Sequence, residues 1–290
     1  MNSAASTGRM AQGAITLGDR EFKMFRALIF EKSGISLHEG KKELLRTRLS
    51  GRLRARDLSS FKDYYDFIKN DKTDGELMGL LDAISTNLTS FFREINHFHF
   101  LEKKIIPQIL ARGRGTNNKV LRCWSAGCSS GEEPYTIIFS LLENAEINSS
   151  WDIKMLATDI SAEMLAKATS AVYTEERIKP APKSIIRKYF VKGTKDKEGL
   201  YHVRQEISRL VQFKRFNLMT TNFPFKHKFD FIFCRNVMIY FDKPTQETLT
   251  AKYYNALAKG GYLLIGHSES LTGLQHQFKY VLPTIYQKSA

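Results

Sequence analysis

Two glycines four residues apart, Gly127 and Gly131, sit in a loop of small residues with two acids directly behind them, Glu132 and Glu133. An apolar run beginning at Val120 leads in, and a helical pattern leads out. Glycine reaches backbone angles closed to other residues and lets a ligand approach the main chain with no side chain between. A parallel-sheet enzyme brings backbone against a nucleotide-like ligand in this order. No lysine followed by serine or threonine occurs in the loop, which excludes the phosphate-cradling motif of nucleotide hydrolases. The spacing is not that of the dinucleotide fingerprint, and acids stand where a pyrophosphate would need bare amides. Glu132 and Glu133 instead suit a ligand that carries positive charge, and S-adenosylmethionine, with its sulfonium and amino groups, fits. Taken alone, the loop also fits an ordinary glycine turn between strand and helix.

A second element supports the ligand reading. Residues 151–159 read as a buried strand ending in Asp159, followed by a helical run over 161–168. An acid at the carboxyl end of the second strand is placed to accept hydrogen bonds from both ribose hydroxyls. Asp159 could alternatively cap the helix, but Ser161, with Glu163 and Met164 behind it, already has capping chemistry and leaves Asp159 for another role.

Stepping outward, 290 residues exceed one average domain and suit a catalytic domain plus a smaller one. Hydrophobic content of 42% supports a packed core, and 26% charged residues are ordinary for a soluble protein. No apolar run approaches a membrane span, and residues 1–12 lack a secretory apolar core. Cysteines 123, 128 and 234 make an odd set without metal-ligand spacing, so reduced cytoplasmic thiols are expected. Cys128 reads as a small residue filling a tight loop. The seven histidines show neither triad nor metal spacing, and His97 with His99 reads as local polar packing.

The net charge of +14 calls for an anionic partner: nucleic acid, a membrane surface or an acidic protein. The stretch from Lys41 to Arg56 holds seven basic residues against one acid, Glu43. Leu45, Leu49 and Leu53 form one helical stripe, and Arg48, Arg52 and Arg56 form another roughly 60° away. One face can bury while its neighbour presents guanidinium groups outward, either as a solvated face or as a docking surface for acidic helices.

Residues 1–18 are expected to be a disordered tail and residues 19–85 a small helical bundle, with Phe22, Phe25, Leu28 and Ile29 at helical spacing. From Lys119 onward strand-like and helix-like runs alternate, as in a mostly parallel sheet covered on both faces. Later strands are predicted at 210–216, 229–234 and 262–266, with a helix over 245–258 stopped by Gly260-Gly261. Residues 278–288 alternate like an antiparallel closing pair. Between the second and third core strands, residues 188–204 look like a hairpin around a polar turn. It is equally a decoration or an edge able to accept a partner strand.

Four motifs in order resemble the CheR-type chemoreceptor methyltransferases: Asn87-Leu-Thr-Ser-Phe-Phe-Arg93; Trp124-Ser-Ala-Gly127 with Ser130-Gly-Glu-Glu-Pro-Tyr135; Ala157-Thr-Asp-Ile160; and Phe233-Cys-Arg-Asn-Val-Met-Ile-Tyr-Phe-Asp242. The resemblance runs from about residue 20 to the end. It implies an α/β fold: a Rossmann-like class I methyltransferase sheet over residues 86–290, with an inserted antiparallel β-subdomain at about 188–210, preceded by a small all-α amino-terminal domain for receptor recognition. The implied activity is S-adenosylmethionine-dependent methylation of glutamate carboxylates on chemotaxis receptors, giving methyl esters and S-adenosylhomocysteine in sensory adaptation. Asn87, Thr89 and Arg93 would line the cofactor pocket together with Ala126 and Gly127. Glu133 would hold the methionine amino group, Asp159 the ribose, and Asn217 and Leu218 the adenine edge, with Arg235 and Asn236 on the rim. Arg93 and Tyr240 would orient the acceptor carboxylate, and Arg48, Arg52 and Arg56 would meet the receptor's methylation helices. A monomeric cytoplasmic protein recruited to membrane receptor arrays is implied, and the short hairpin turn resembles members that dock on a receptor's carboxyl-terminal pentapeptide. A nucleic-acid methyltransferase would explain the charge, but no Asn/Asp-Pro-Pro-Tyr-like base-holding motif is present. A non-catalytic sensor of the adenosyl cofactor fits less well with intact motifs.

Overall fold

A computed structural model describes residues 15–114 and 119–289. Most of the stretch read as a disordered tail, residues 1–14, lies outside the described residues. Leu17, by contrast, is buried at 3% exposure, and Gly18 accepts the first helical hydrogen bond from the Phe22 N–H, so the fold begins ahead of residue 19. The chain divides into two compact units. One comprises the described residues up to Glu31 together with Leu37–Ile84; the other comprises Lys32–Ser36 and Ser85–Ala290.

The first unit is helical, with helices Lys42–Ala55, Phe61–Asn70 and Gly75–Ile84 following the long helix that starts at Asp19. Phe22, Phe25 and Leu28 are buried, as are Leu45, Leu49 and Leu53, which makes the predicted apolar stripes the core. The neighbouring arginine stripe departs from the expected outward display. The carboxylate of Glu76, itself 2% exposed, accepts from Arg52 at 2.6 Å, from Arg56 at 2.6 Å and from the Tyr64 hydroxyl at 2.8 Å. Arg48 donates to the Ala83 carbonyl at 3.1 Å. A buried carboxylate without cations would be strongly disfavoured, so two of the three guanidiniums are drawn into this unit's own helix packing.

The second unit is built on a seven-stranded sheet. In chain order the strands are β1 (Val120–Ala126), β2 (Asp152–Asp159), β3 (Val172–Thr174), β4 (Phe190–Lys192), β5 (Leu200–Val203), β6 (Val211–Arg215), β7 (Phe229–Cys234), β8 (Leu257–Ile265), β9 (Lys279–Leu282) and β10 (Ile285–Gln287). The main sheet runs β6-β2-β1-β7-β8-β10-β9, parallel through β8 and antiparallel at β10 and β9. Side chains alternate between two apolar layers: Leu121, Cys123, Phe231 and Phe233 enter one, while Trp124, Ala126, Ile232 and Cys234 enter the other. Strand order reverses between β1 and β7, and ligands bind open parallel sheets at the carboxyl ends beside such a switch point. β3, β5 and β4 form a separate antiparallel sheet inserted between β2 and β6.

Two expectations need correcting. Gly260-Gly261 does not stop the preceding helix, which spans Lys243–Ala256; β8 already begins at Leu257. The pair sits instead where the β7–β8 register shifts, with Gly260 at φ 72°, and a Cβ on Gly261 would lie 2.9 Å from the Asp230 carbonyl. A bulge in a strand and a helix stop draw on the same residue type. The inserted sheet also has a third strand, β3, that the hairpin reading lacked.

Candidate functional site

The loop after β1 turns back on the end of β2. The amides of Gly127 and Cys128 both donate to the Thr158 carbonyl, at 2.8 and 2.9 Å. Gly127 (φ 94°), Ser129 (φ 47°) and Gly131 (φ 97°) adopt left-handed backbone, and a Cβ on Gly127 would lie 2.4 Å from Val237. Three such residues in five make a turn that brings main chain rather than side chains to the sheet's edge. Cys128 packs inside this turn at 1% exposure, and burial pushes its thiol up, which leaves it a filler rather than a nucleophile.

Asp159 ends β2 with both oxygens fixed: Oδ2 accepts from the Ser129 amide at 2.8 Å and Oδ1 from the Ser161 amide at 2.9 Å. Ser161 caps the following helix by accepting from Met164 N at 3.1 Å. A carboxylate oxygen accepts more than one hydrogen bond, so a carboxylate aimed in this way can take a diol while its orientation is set by the backbone.

The two acids behind the loop separate in role. Glu132 is fully buried and ion-paired with Arg177, and Ser130 Oγ donates to it at 2.7 Å. Its positive partner is thus the protein's own, contrary to the expectation that both acids serve a ligand, and Glu133 too has a cation of the protein beside it. Glu133 accepts from Ser125 Oγ at 2.6 Å and from Arg235 Nε at 2.6 Å.

Arg235, just past β7, is 6% exposed, lies over the rings of Phe98 and Phe233, and donates from Nη1 to the Arg93 carbonyl at 2.6 Å. Arg93 is the end of the predicted linker motif. Its own Nη1 donates to the Leu88 carbonyl at 2.6 Å, and the residues on either side, Phe92 and Glu94, are both left-handed. Asn87 sits on the same linker, with its carbonyl accepting from Ser129 Oγ at 3.2 Å; Thr89 is half-buried between them. Linker, β1 loop, Asp159 and the loop after β7 are therefore joined into one network. Ala126 closes β1 beneath it, fully buried.

Asn217 and Leu218 follow β6 on the far side. The Asn217 side chain donates to the Lys32 carbonyl at 2.7 Å and accepts from Met219 N at 3.0 Å. Tyr240 ends a short turn after β7, its carbonyl accepting from the Ser36 amide at 2.8 Å. Arg48, Arg52 and Arg56 belong to the other unit.

Two residues here, Glu94 and Glu269, escaped the sequence reading, and a third, His97, has more distant partners than expected. Glu94 accepts from the His267 amide at 3.2 Å and lies 3.4 Å from Arg235. Glu269, 7% exposed, accepts from the amides of Asn236, Val237 and Ile239 at 2.9–3.2 Å and so moulds the loop that carries Arg235 and Asn236. His97, read as local polar packing, is buried, and its polar partners lie far along the chain. Its Nδ1 faces Arg235 at 3.3 Å and its Nε2 meets Thr284 Oγ1 at 2.7 Å. Burial, then the nearby charges of Arg235 and His267, push it down to about 3, so it stands neutral. Glu94, His97 and His267 converge to within 4.8 Å, but the Arg235 guanidinium already supplies the cation there, which disfavours a metal ion.

The chain matches two family models: the CheR methyltransferase all-alpha domain over residues 20–85 and the CheR methyltransferase SAM-binding domain over residues 87–286. It is similar to the chemotaxis protein methyltransferase of Borreliella burgdorferi, 42% identical over 95% of this chain and 96% of that one. It is also similar to those of Escherichia coli (36% identical, over 95% and 93%) and Salmonella typhimurium (37% identical, over 95% and 92%). Fixed acid, glycine turn and the arginine after β7 meet in the matched domain, and its cofactor is S-adenosylmethionine. The chain belongs to the CheR methyltransferase family.

Proposed function

We propose that the protein is a protein-glutamate O-methyltransferase that esterifies glutamate side chains on the methylation helices of chemotaxis receptors. The observation that carries this reading is a fixed ribose-type acceptor, Asp159, in a site whose buried His97 is held down to about 3 and is a poor proton acceptor. A glutamate acceptor is already ionised near neutral pH, its reference pKa being about 4.3, and needs no base. S-adenosylmethionine supplies an electrophilic methyl group on a sulfonium that leaves as a neutral thioether. The protein's task is then alignment and removal of water.

Asp159 would hold the ribose, Glu133 the amino group, and Asn217 and Leu218 the adenine edge. Because the Asn217 amide is used within the fold, that segment would meet the base through its main chain. Asn87, Thr89, Ala126, Gly127 and Asn236 would line the same pocket, with Arg235 as the fixed cation behind Glu133. Arg93 would bind the non-attacking oxygen of the acceptor, since a tight grip on the attacking oxygen would blunt it. Tyr240 would fix the carboxylate's rotation.

The receptor is approached, in this reading, by the basic Lys42–Ala55 helix, and a receptor's carboxyl-terminal peptide adds a strand to an edge of the inserted sheet, where Val191 is exposed. A monomer would in that way be recruited to receptor arrays. Among the described residues no helix is long and apolar enough to cross a membrane. The test is labelled-methyl transfer to purified receptor cytoplasmic fragments, with and without their last residues. Base-labile label on glutamate supports the proposal, and no transfer to any fragment by protein that binds S-adenosylhomocysteine refutes it.

A further inference from the structure

The inserted sheet reaches the cofactor loop through side chains that the transfer reaction does not use. Tyr173, in the middle residue of β3, is 3% exposed, and its hydroxyl donates to the Ser130 carbonyl at 2.8 Å. Four residues on, Arg177 donates to Ser130 Oγ at 3.1 Å and pairs with the fully buried Glu132. Between these anchors Gly131 is so closely covered that a Cβ would lie 2.8 Å from the Tyr173 hydroxyl and 3.0 Å from Ala168. Its φ of 97° is open to glycine and strained for other residues.

The same face of the insert also holds the linker. Phe91, two residues ahead of Arg93, packs edge-on against Tyr173 at 4.9 Å and against Phe190 of β4 at 5.5 Å. Phe190 in turn meets Phe139 on the helix that leaves the cofactor loop, at 5.4 Å. The insert therefore touches both halves of the site: the Ser130–Glu132 turn and the linker that presents Arg93.

We infer that Tyr173 and Arg177 are positioning residues for methyl transfer, and that the inserted sheet sets the shape of the cofactor turn. The physical basis is that Ser129, whose amide orients Asp159, directly precedes the anchored Ser130. Of the three left-handed residues in this turn only Ser129 is not a glycine, so the backbone strain falls on the residue next to the anchored Ser130 and must be held by its surroundings. Tyr173 and Arg177 supply that constraint from outside the sheet. A shift of the turn moves the Ser129 amide off Asp159 and lowers cofactor affinity without touching a cofactor-binding side chain.

The full-length protein tests this with Tyr173→Phe, which keeps the ring and its packing on Phe91, and with the set Arg177→Gln, Glu132→Gln and their double variant. Dissociation constants for S-adenosylhomocysteine are measured by calorimetry, alongside thermal midpoints, and steady-state KM for S-adenosylmethionine is separated from kcat. Tyr173→Phe is expected to weaken S-adenosylhomocysteine about 5–20-fold and to raise KM for the cofactor more than it lowers kcat. The single Arg177 and Glu132 variants are each expected to weaken binding, with the double variant no worse than either single, as for a shared contact. Arg187→Ala, at an exposed position just ahead of β4, should leave cofactor binding unchanged. Cofactor affinity within twofold of the parent in Tyr173→Phe and in the Arg177 and Glu132 variants overturns the inference, whatever the thermal midpoints do. Should Tyr173→Phe fail to fold, additive losses in the Arg177–Glu132 set overturn it as well.

Discussion

Arg235 Nε donates to Glu133 Oε2 at 2.6 Å, and neither side chain is more than 8% exposed. This pair fastens the helix after the β1 loop to the end of β7 across the switch point of the sheet. Removing one member leaves the other charge buried, at a cost of about 3–5 kcal/mol, whereas replacing both with apolar groups is often near neutral. Glu133→Gln is therefore expected to lower stability by about 3 kcal/mol in urea titrations. Glu133→Leu with Arg235→Met should recover most of that loss and still bind no S-adenosylhomocysteine. A double variant that binds the thioether normally would remove Glu133 from the cofactor site.

Asp159 makes a narrower prediction. Both its oxygens accept backbone amides, so Asp159→Asn must turn an N–H donor toward either Ser129 or Ser161. An unsatisfied pair of this kind costs about 1–3 kcal/mol. Calorimetry with S-adenosylhomocysteine should show affinity down by about 10–100-fold, with the protein still folded by circular dichroism.

The buried His97 predicts a pH dependence of stability. Its folded-state value, about 3, lies below the ordinary value of 6.5, so the unfolded chain takes up a proton that the native protein refuses. Its contribution is complete above about 6.5 and is lost as pH falls from there toward 3, with a slope of up to about 1.4 kcal/mol per pH unit. The groups facing it are Arg235, Glu94, His267 and Thr284. His97→Gln should flatten the unfolding free energy between pH 6.5 and 5 relative to the parent. Parallel curves would show that another group governs that limb.

On the basic helix, the internal role of Glu76 changes how docking can be tested. Reversing Arg52 and Arg56 places two acids beside a buried carboxylate and is expected to unfold the helical unit rather than report on a receptor. Arg54 is exposed and on the same helix. Arg54→Glu is expected to leave the thermal midpoint within about 2 °C, since surface substitutions cost about 0.5 kcal/mol or less. It should slow methylation of an acidic receptor fragment several-fold at low salt and less at high salt. Arg54 lies about 200° round the helix from Arg52, so an unchanged rate at low salt would argue against the side of the helix opposite the Glu76 contacts as the docking surface.

The parallel strands were legible because each is an apolar run with punctuation at its ends: β7 falls at the predicted 229–234. The three-residue β3 was not, because a strand that short carries no periodic signal and Tyr173 reads like any core aromatic. Gly260-Gly261 misled for the opposite reason, since a bulge and a helix stop use the same residues. Within the site, chain-local motifs pointed to Asp159 and the glycine turn. Glu94, His97 and Glu269 meet partners 33 to 187 residues away, some of them backbone amides, and spacing along one chain does not encode such meetings. The arginine stripe shows the same limit, because helical spacing placed Arg52 correctly but could not reveal Glu76 waiting 24 residues on.

Arg93 bears the last prediction. Its backbone carbonyl accepts from Arg235 and one Nη donates to the Leu88 carbonyl, so it closes the linker loop through both main chain and side chain. Arginine has five donors, and one closing contact leaves capacity for a carboxylate. Arg93→Lys keeps the charge but loses the planar fork that engages a carboxylate bidentately. If Arg93 orients the acceptor, kcat on a receptor fragment should fall by about 100-fold, roughly 2.7 kcal/mol of transition-state stabilisation, while S-adenosylhomocysteine affinity changes less than threefold. If it serves only to close the loop, the lysine variant and Arg93→Ala should lose cofactor affinity and turnover in parallel. Measuring both constants for both variants separates the two, because only the orienting role predicts a split.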